Sequence, residues 1–242
     1  MCVLALAWSM HPRWRLIVAA NRDEFHARAA APLSRWDDRA ILAGRDLVAG
    51  GTWLAVSADG GFAAVTNLRG FGTPDATRDS RGALVVGLAD GSIAAEEVRA
   101  AQHNPFNAIA IRQGRATFVA NRPTMAIAPL APGLHAISNG PLDPPWRKTM
   151  RLSAVIRDWL ATGDTAFDAL FAGLRDPAPP GSSADDPAAI FIDDPVYGTR
   201  CSTVVAVTND GVGTIAERRY DAAGNVTGTT ALPFQWPQDE AG

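Results

Sequence analysis

The sequence is poor in cysteine, lysine and histidine and has no long apolar run, and each shortage removes a class of protein. Two cysteines among 242 residues, Cys2 and Cys201, are too few for a disulfide scaffold. A bridge between those two remains open on sequence grounds, but two free thiols in a reducing cytoplasm is the preferred reading. Neither cysteine has Cys or His neighbours at metal-ligand spacing, so no metal site is expected. The four histidines (His11, His26, His103, His135) are scattered, and a lone histidine is usually structural or solvated. All but one of the 22 basic residues are arginine, Lys148 being the exception. With abundant alanine, that reads as GC-rich coding and hints at a bacterial source. The basic residues face 25 acidic ones, a net charge of −3, which leaves no electrostatic footprint for nucleic acid. The apolar start, Met1 to Trp8, lacks a basic region and is too short for a signal peptide or a membrane span.

What is present is ordinary globular material, 47% hydrophobic and 19% charged. No linker, charge run or repeat divides it, so residues 1–242 read as a single domain. Val3–Trp8 and Arg15–Ala20 are short apolar runs around Pro12 and read as a hairpin. Residues 27–46 read as polar and irregular. Gly50 to Val56 and Asp59 to Val65 form a second hairpin, with Gly50-Gly51 assigned to turn geometry. Further strand pairs are expected at 106–111 with 116–120, at 125–129 with 134–138, and at 202–207 with 212–217. Helices are expected at 80–88, after a Ser80 cap, and at 93–102, 146–160 and 165–174. Residues 176–187 are Pro/Ser/Asp-rich and predict a mobile loop; the C-terminus trails off polar. Hairpins in runs with segregated helices predict an α+β fold of two packed antiparallel sheets covered by helices.

The informative positions are Cys2, Asn21-Arg22-Asp23-Glu24, Gly50-Gly51-Thr52-Trp53, Thr66-Asn67, Ser80-Arg81-Gly82, Ser138-Asn139-Gly140 and Gly198 to Thr203. In this order and at these distances from Cys2, they resemble the NRDE family, also called the transport and Golgi organisation 2 family. Cys201 stands where that family pattern leads one to expect serine. The N-terminal pattern is in turn similar to the cysteine N-terminal-nucleophile (Ntn) hydrolases, such as bile-salt hydrolases and penicillin V acylases. That resemblance implies an αββα four-layer sandwich with the nucleophile at the sheet interface.

The resemblance also implies roles. Removal of Met1 would leave Cys2 with a free α-amine of pKa roughly 7.7–8.0, a general base near neutral pH. Arg22 would stabilise the thiolate or bind an acidic group, and Asp23 would orient the amine. Asn67 and Asn139 are candidate oxyanion donors, and Arg200 a partner closing the polar network. Each has a plainer alternative: Asn67 as a turn residue, Arg200 as an ion-pair partner of Asp193 or Asp194, Asp23 or Glu24 paired with Arg28, and Cys201 as core. In the bile-salt hydrolases the Arg and Asp stand three residues apart. Here they are adjacent, and neighbours on a strand face opposite sides. So either the strand ends by Arg22, or only one of the two faces Cys2.

Two functions lead from this reading, ahead of a weaker third, a purely structural or interaction protein. One is a Cys2-dependent hydrolase or acyltransferase acting on an amide or thioester, needing no cofactor. The other is a non-catalytic carrier of a small ligand, haem or acyl-CoA, in which Cys2 or His26 ligates iron, or Arg22 and Arg81 hold phosphates. Asn21, Glu24, Arg81 and His26 are the ligand-binding candidates. Small molecules are the expected partners, and the cytoplasm the expected location. Oligomeric state is left open.

Overall fold

The computed structural model describes residues 2–142, 144–179 and 188–238. Among the described residues, thirteen strands form two antiparallel sheets. The first runs β10 (Gly133–Ser138), β1 (Val3–Trp8), β2 (Trp14–Phe25), β11 (Tyr197–Thr208), β12 (Val212–Tyr220), β13 (Val226–Gln235). The second runs in chain order: β3 (Ala30–Arg35), β4 (Ile41–Asp46), β5 (Leu54–Ser57), β6 (Gly61–Asn67), β7 (Phe106–Arg112), β8 (Arg115–Ala120), β9 (Ala126–Leu130).

Strand alternation explains the layering. Leu4, Leu6, Trp8, Leu16, Val18 and Ala20 point into the core between the sheets, where they meet Leu54, Val56, Phe62 and Ile109. Their neighbours Val3, Ala5, Ala7, Ile17 and Ala19 face outward, under α2 (Arg147–Thr162) and α3 (Asp168–Gly173). The second sheet's outer face is covered by α1 (Arg81–Asp90). The order is therefore helix, sheet, sheet, helix. A strand buried on both faces has no polar side, which is why β1 reads as an unbroken apolar run.

Several sequence expectations need correcting. Residues 27–46 contain β3 and β4, and β13 occupies the stretch expected to trail off. β3 and β13 are edge strands with exposed faces, so they lack the apolar alternation that marks a buried strand. The expected helix at 93–102 reduces to a 3₁₀ turn, Ala95–Glu97. β9 and β10 do not pair with each other: β9 closes the second sheet on β8, and β10 crosses to the first sheet and pairs with β1. Of the loop 176–187, residues 180–187 lie outside the described residues. Asp176 is tied down, its carboxylate paired with Arg151 and its carbonyl accepting from Ile190 and Phe191.

The paired glycines also differ from the turn reading. Gly50 has the positive φ of a turn, +76°. Gly51 is needed for a close approach instead, since a Cβ there would lie 2.3 Å from the Gly82 carbonyl carbon. That contact seats the start of α1, capped by the Ser80 hydroxyl, against the loop before β5.

Candidate functional site

Where the apolar core between the sheets runs out, the inner face of the first sheet becomes polar. Val3 pairs with Asn21 on one side and Ser138 on the other. Continuing that register places Cys2 between Arg22 and Asn139. Arg22 pairs with Cys201, and Cys201 with Arg219. One row across the strands therefore carries Asn139, Cys2, Arg22, Cys201 and Arg219 on one face, and all five line a cleft of about 1170 Å³. Cys2 and Cys201 are both free thiols, separated by the β2 strand that carries Arg22. They are two strands apart, roughly 10 Å, beyond the reach of a disulfide. Cys201 is buried as expected of a core residue, but it borders the cleft.

The adjacency of Arg22 and Asp23 is resolved by a bulge. Thr199 pairs with Asp23 and Cys201 with Arg22, leaving Arg200 as the extra residue on β11. Arg22 shares the inner face with the Cys2 side chain. It is 9% exposed and lies 3.8 Å from both Glu24 and Asp46. Asp23 takes the outer face, where its Oδ1 accepts from the Thr199 hydroxyl at 2.7 Å. There α2 brings in Lys148, 1% exposed, with Nζ 3.4 Å from the Cys2 carbonyl oxygen. The Ser138 hydroxyl donates to the same oxygen at 2.8 Å. The nucleophile candidate thus has its side chain served from one face and its main chain from the other.

Burial dominates the titrations. It pushes the Asp23 carboxyl up to about 6, against the pull of Lys148, Thr199 and Arg22. It pushes Lys148 down to about 8, against Asp23 and Cys2. The Cys2 thiol is raised by burial and by the Asp23 charge; the Asp23 backbone amide and Arg22 pull it back without prevailing. An Arg beside Cys2 therefore does not make a standing thiolate here, and ionisation needs a base. Cys201 is pushed well above the ordinary range by burial and by Glu217.

The other expected residues divide into two groups. Asn67, Glu24, Arg81 and Arg200 line the cleft. The Asn139 side-chain Nδ2 donates to the Asn67 carbonyl at 2.7 Å, and its Oδ1 is buried with no hydrogen-bond partner among the described residues. That contact joins the end of β10 to the end of β6 and holds the two sheets together beside Cys2. Asn67 itself is exposed at the strand end. Arg81 donates to the Pro105 carbonyl at 3.0 Å. Arg200 reaches the Phe25 and Arg28 carbonyls at 2.9 and 3.1 Å, so it braces the turn after β2 and pairs with neither Asp193 nor Asp194. Asp46 is the close partner of Arg28, at 2.8 Å, with Glu24 at 3.9 Å.

Asn21 and His26 lie outside the cleft lining. Asn21 is fully buried on the outer face. Its Nδ2 donates to the Leu174 and Ile190 carbonyls at 2.7 and 2.9 Å, and its Oδ1 accepts from Ser202. It clamps the segment after α3 to the sheet. His26 is engaged with the Asp194 carbonyl at 3.0 Å. Sequence reasoning assigned no role to Lys148, although its standing as the single lysine was visible. Among the described residues there is no His/Cys/Asp/Glu cluster fit for a metal ion, and no helix long and apolar enough to cross a membrane.

Two packed antiparallel sheets between helices, with a cysteine at the start of a central strand, define an Ntn-hydrolase-type sandwich. Solved structures agree on the fold. A Caenorhabditis elegans N-acylethanolamine-hydrolyzing acid amidase ortholog superposes with TM-score 0.52 at 10% identity, over 84% of this chain and 92% of its own. A mutant conjugated bile acid hydrolase from Clostridium perfringens gives TM-score 0.54 at 9% identity, over 95% and 92%. The family is shown by sequence. Residues 1–222 match the model of the family described as Transport and Golgi organisation 2. The Transport and Golgi organization protein 2 homologs of Bos taurus and Homo sapiens are 32% and 33% identical, each over 90% of this chain and 92% of the homolog. The chain belongs to the Transport and Golgi organisation 2 family. These relatives are animal proteins.

Proposed function

We propose that the protein is a Cys2-dependent Ntn hydrolase or acyltransferase acting on an amide or thioester. The observation that carries this is the row Asn139–Cys2–Arg22 along the cleft, with Asp23 and Lys148 on the opposite face of the sheet. The fold neighbours are named as hydrolases, one of N-acylethanolamines and one of conjugated bile acids; that chemistry is brought to this chain as part of the proposal. With Met1 removed, the Cys2 thiol gives its proton to its own α-amine, and the sulfur adds to the substrate carbonyl. Arg22 favours the developing thiolate, and Asp23 orients the amine. The Asn67 side chain and the second Nδ2 hydrogen of Asn139, the first being held by the Asn67 carbonyl, supply oxyanion donors. Collapse breaks the C–N or C–S bond, and the departing amine or thiol takes the proton back. Water or a second acceptor then releases the acyl group and restores the thiol. No cofactor enters. Exposed Phe25 and Val48, both bordering the cleft, suit an apolar acyl group.

The test is intact-mass spectrometry of the purified protein, before and after incubation with an activated acyl thioester and an activated amide. Loss of Met1 and an acyl adduct on the Cys2 peptide, absent in Cys2→Ala, is the expected result. A retained Met1 with no adduct from either probe would overturn the proposal.

The carrier reading has one observation of its own. Arg69, Arg81 and Arg200 line the cleft, and none pairs with a carboxylate among the described residues. That arrangement suits an anionic ligand such as acyl-CoA, held at equilibrium without turnover. Of the two proposed axial ligands for haem, Cys2 lines the cleft and His26 lies outside it. For either reading we place the protein in the cytoplasm, on the two unpaired thiols.

A further inference from the structure

The chemistry above uses Cys2, Arg22, Asp23, Asn67 and Asn139 and gives Lys148 no step. A lysine is almost never fully buried unless paired, because taking an ammonium out of water costs several kcal/mol. Lys148 is 1% exposed. Its Nζ meets the Cys2 carbonyl oxygen at 3.4 Å and stands 5.4 Å from the centre of the Trp146 ring. Its charge acts on Asp23 from β2 and on Cys2 ahead of β1, while Arg69, after β6, opposes it. Trp146 is fixed in turn by Gly140: a Cβ there would lie 2.2 Å from the indole. Gly140 directly follows Asn139, so the ammonium is registered to the same segment that flanks Cys2. A methionine would fill the space without the desolvation cost.

We propose that Lys148 is a positioning residue for Cys2: from the outer face it holds the Cys2 carbonyl and sets the charge beneath the nucleophile, favouring the thiolate while the ammonium is protonated. This rests on Cys2 being the nucleophile, but its test reads only the coupling between Lys148 and Cys2 and needs no substrate. A failed acyl-trapping experiment and a failed coupling experiment are therefore separate results.

The experiment is timed iodoacetamide alkylation of the full chain from pH 6 to 10, with Cys2 and Cys201 followed as separate peptides, in wild type and Lys148→Met. Below the lysine's own titration, near pH 8, Cys2 should react several-fold, up to about tenfold, more slowly in Lys148→Met, the effect of removing a nearby positive charge. By pH 10, where the wild-type amine is neutral, the two rates should converge. Cys201 should be unchanged throughout. Superimposable Cys2 profiles at every pH, with or without a lower Tm, would reduce Lys148 to a structural role and overturn the proposal. Should Lys148→Met not fold, the wild type supplies the test. Its single lysine gives one side-chain NMR signal after selective carbon-13 lysine labelling, and the midpoint of that signal should coincide with a break in the wild-type Cys2 alkylation profile. A lysine titrating at its ordinary value, or a profile following one ionisation without a break, would equally overturn it.

Discussion

Asp23 should make the protein less stable as pH rises from 4 to 7, and the effect can be isolated with Asp23→Asn. The carboxyl titrates at about 6 in the folded chain, against 3.8 for its ordinary value. A folded-state pKa above the unfolded one means that the native state binds the extra proton between those values. Stability contributed by that proton is full below about pH 4 and is lost as pH rises through about 6. The shift is about 2 units at roughly 1.4 kcal/mol each, so about 3 kcal/mol is at stake. Asp23 is fully buried, so solvent screening does not reduce that figure much. Asp23→Asn keeps the shape and lacks the titration. The assay is urea unfolding of both proteins at pH 4, 5, 6 and 7, taking the difference at each pH so that every other titrating group cancels. Relative to the variant, wild type should lose about 2.5 kcal/mol across the series, most of it between pH 4 and 6. A difference that stays flat from pH 4 to 7 would refute the reasoning and mean that Asp23 is better solvated than its burial indicates.

Cys2 should alkylate faster than Cys201 at neutral pH, because Cys201 is raised further by burial and by Glu217; equal rates would remove the difference between the two sites. Arg22→Ala should slow Cys2 by roughly threefold to tenfold, the low end for a nearby cation, since Arg22 is the weakest of its named influences; peptide mapping of the same alkylation reads this. Asn21→Ala strands the Leu174 and Ile190 carbonyls and the Ser202 hydroxyl, so denaturant unfolding should show a loss of about 2–4 kcal/mol, with Cys2 alkylation in the remaining folded protein unaltered. Gly51→Ala forces apart the loop before β5 and the start of α1, and a drop in Tm of several degrees is expected.

How far the sequence could be read depended on what each segment buries. The strands covered on both faces, β1 and the first half of β2, announced themselves as apolar runs, and the glycine-marked hairpin of β5 and β6 by its turn. β3 and β13 hid because edge strands bury little, leaving no period in the sequence. The pairing of β10 with β1 was not visible, since a contact 130 residues apart leaves no local trace. At the site, the family pattern located Cys2, Arg22, Asp23 and Asn139 together. It could not separate Asn21, which ties down a helix end, from residues that line the cleft. Lys148 belongs to no motif; only its rarity pointed to it.

The Asn21-Arg22-Asp23-Glu24 run is best understood as two alternating pairs. Strand geometry sends Arg22 and Glu24 to the inner face and Asn21 and Asp23 to the outer one. The inner pair borders the cleft, with Arg22 beside the Cys2 side chain and Glu24 within 3.8 Å of Arg22. The outer pair does different work: Asn21 anchors the segment after α3, and Asp23 sits with Lys148 beneath the Cys2 main chain. Adjacency of Arg and Asp looks like a defect only if both must reach the same side of the cysteine. A residue at the very start of a strand presents its side chain to one face and its backbone to the other, so two adjacent positions on the neighbouring strand can reach both. The bulge at Arg200 completes the arrangement, letting β11 pair with Arg22 through Cys201 and with Asp23 through Thr199. A single inserted residue between Arg22 and Asp23 would put both on the inner face and leave Lys148 without its carboxylate.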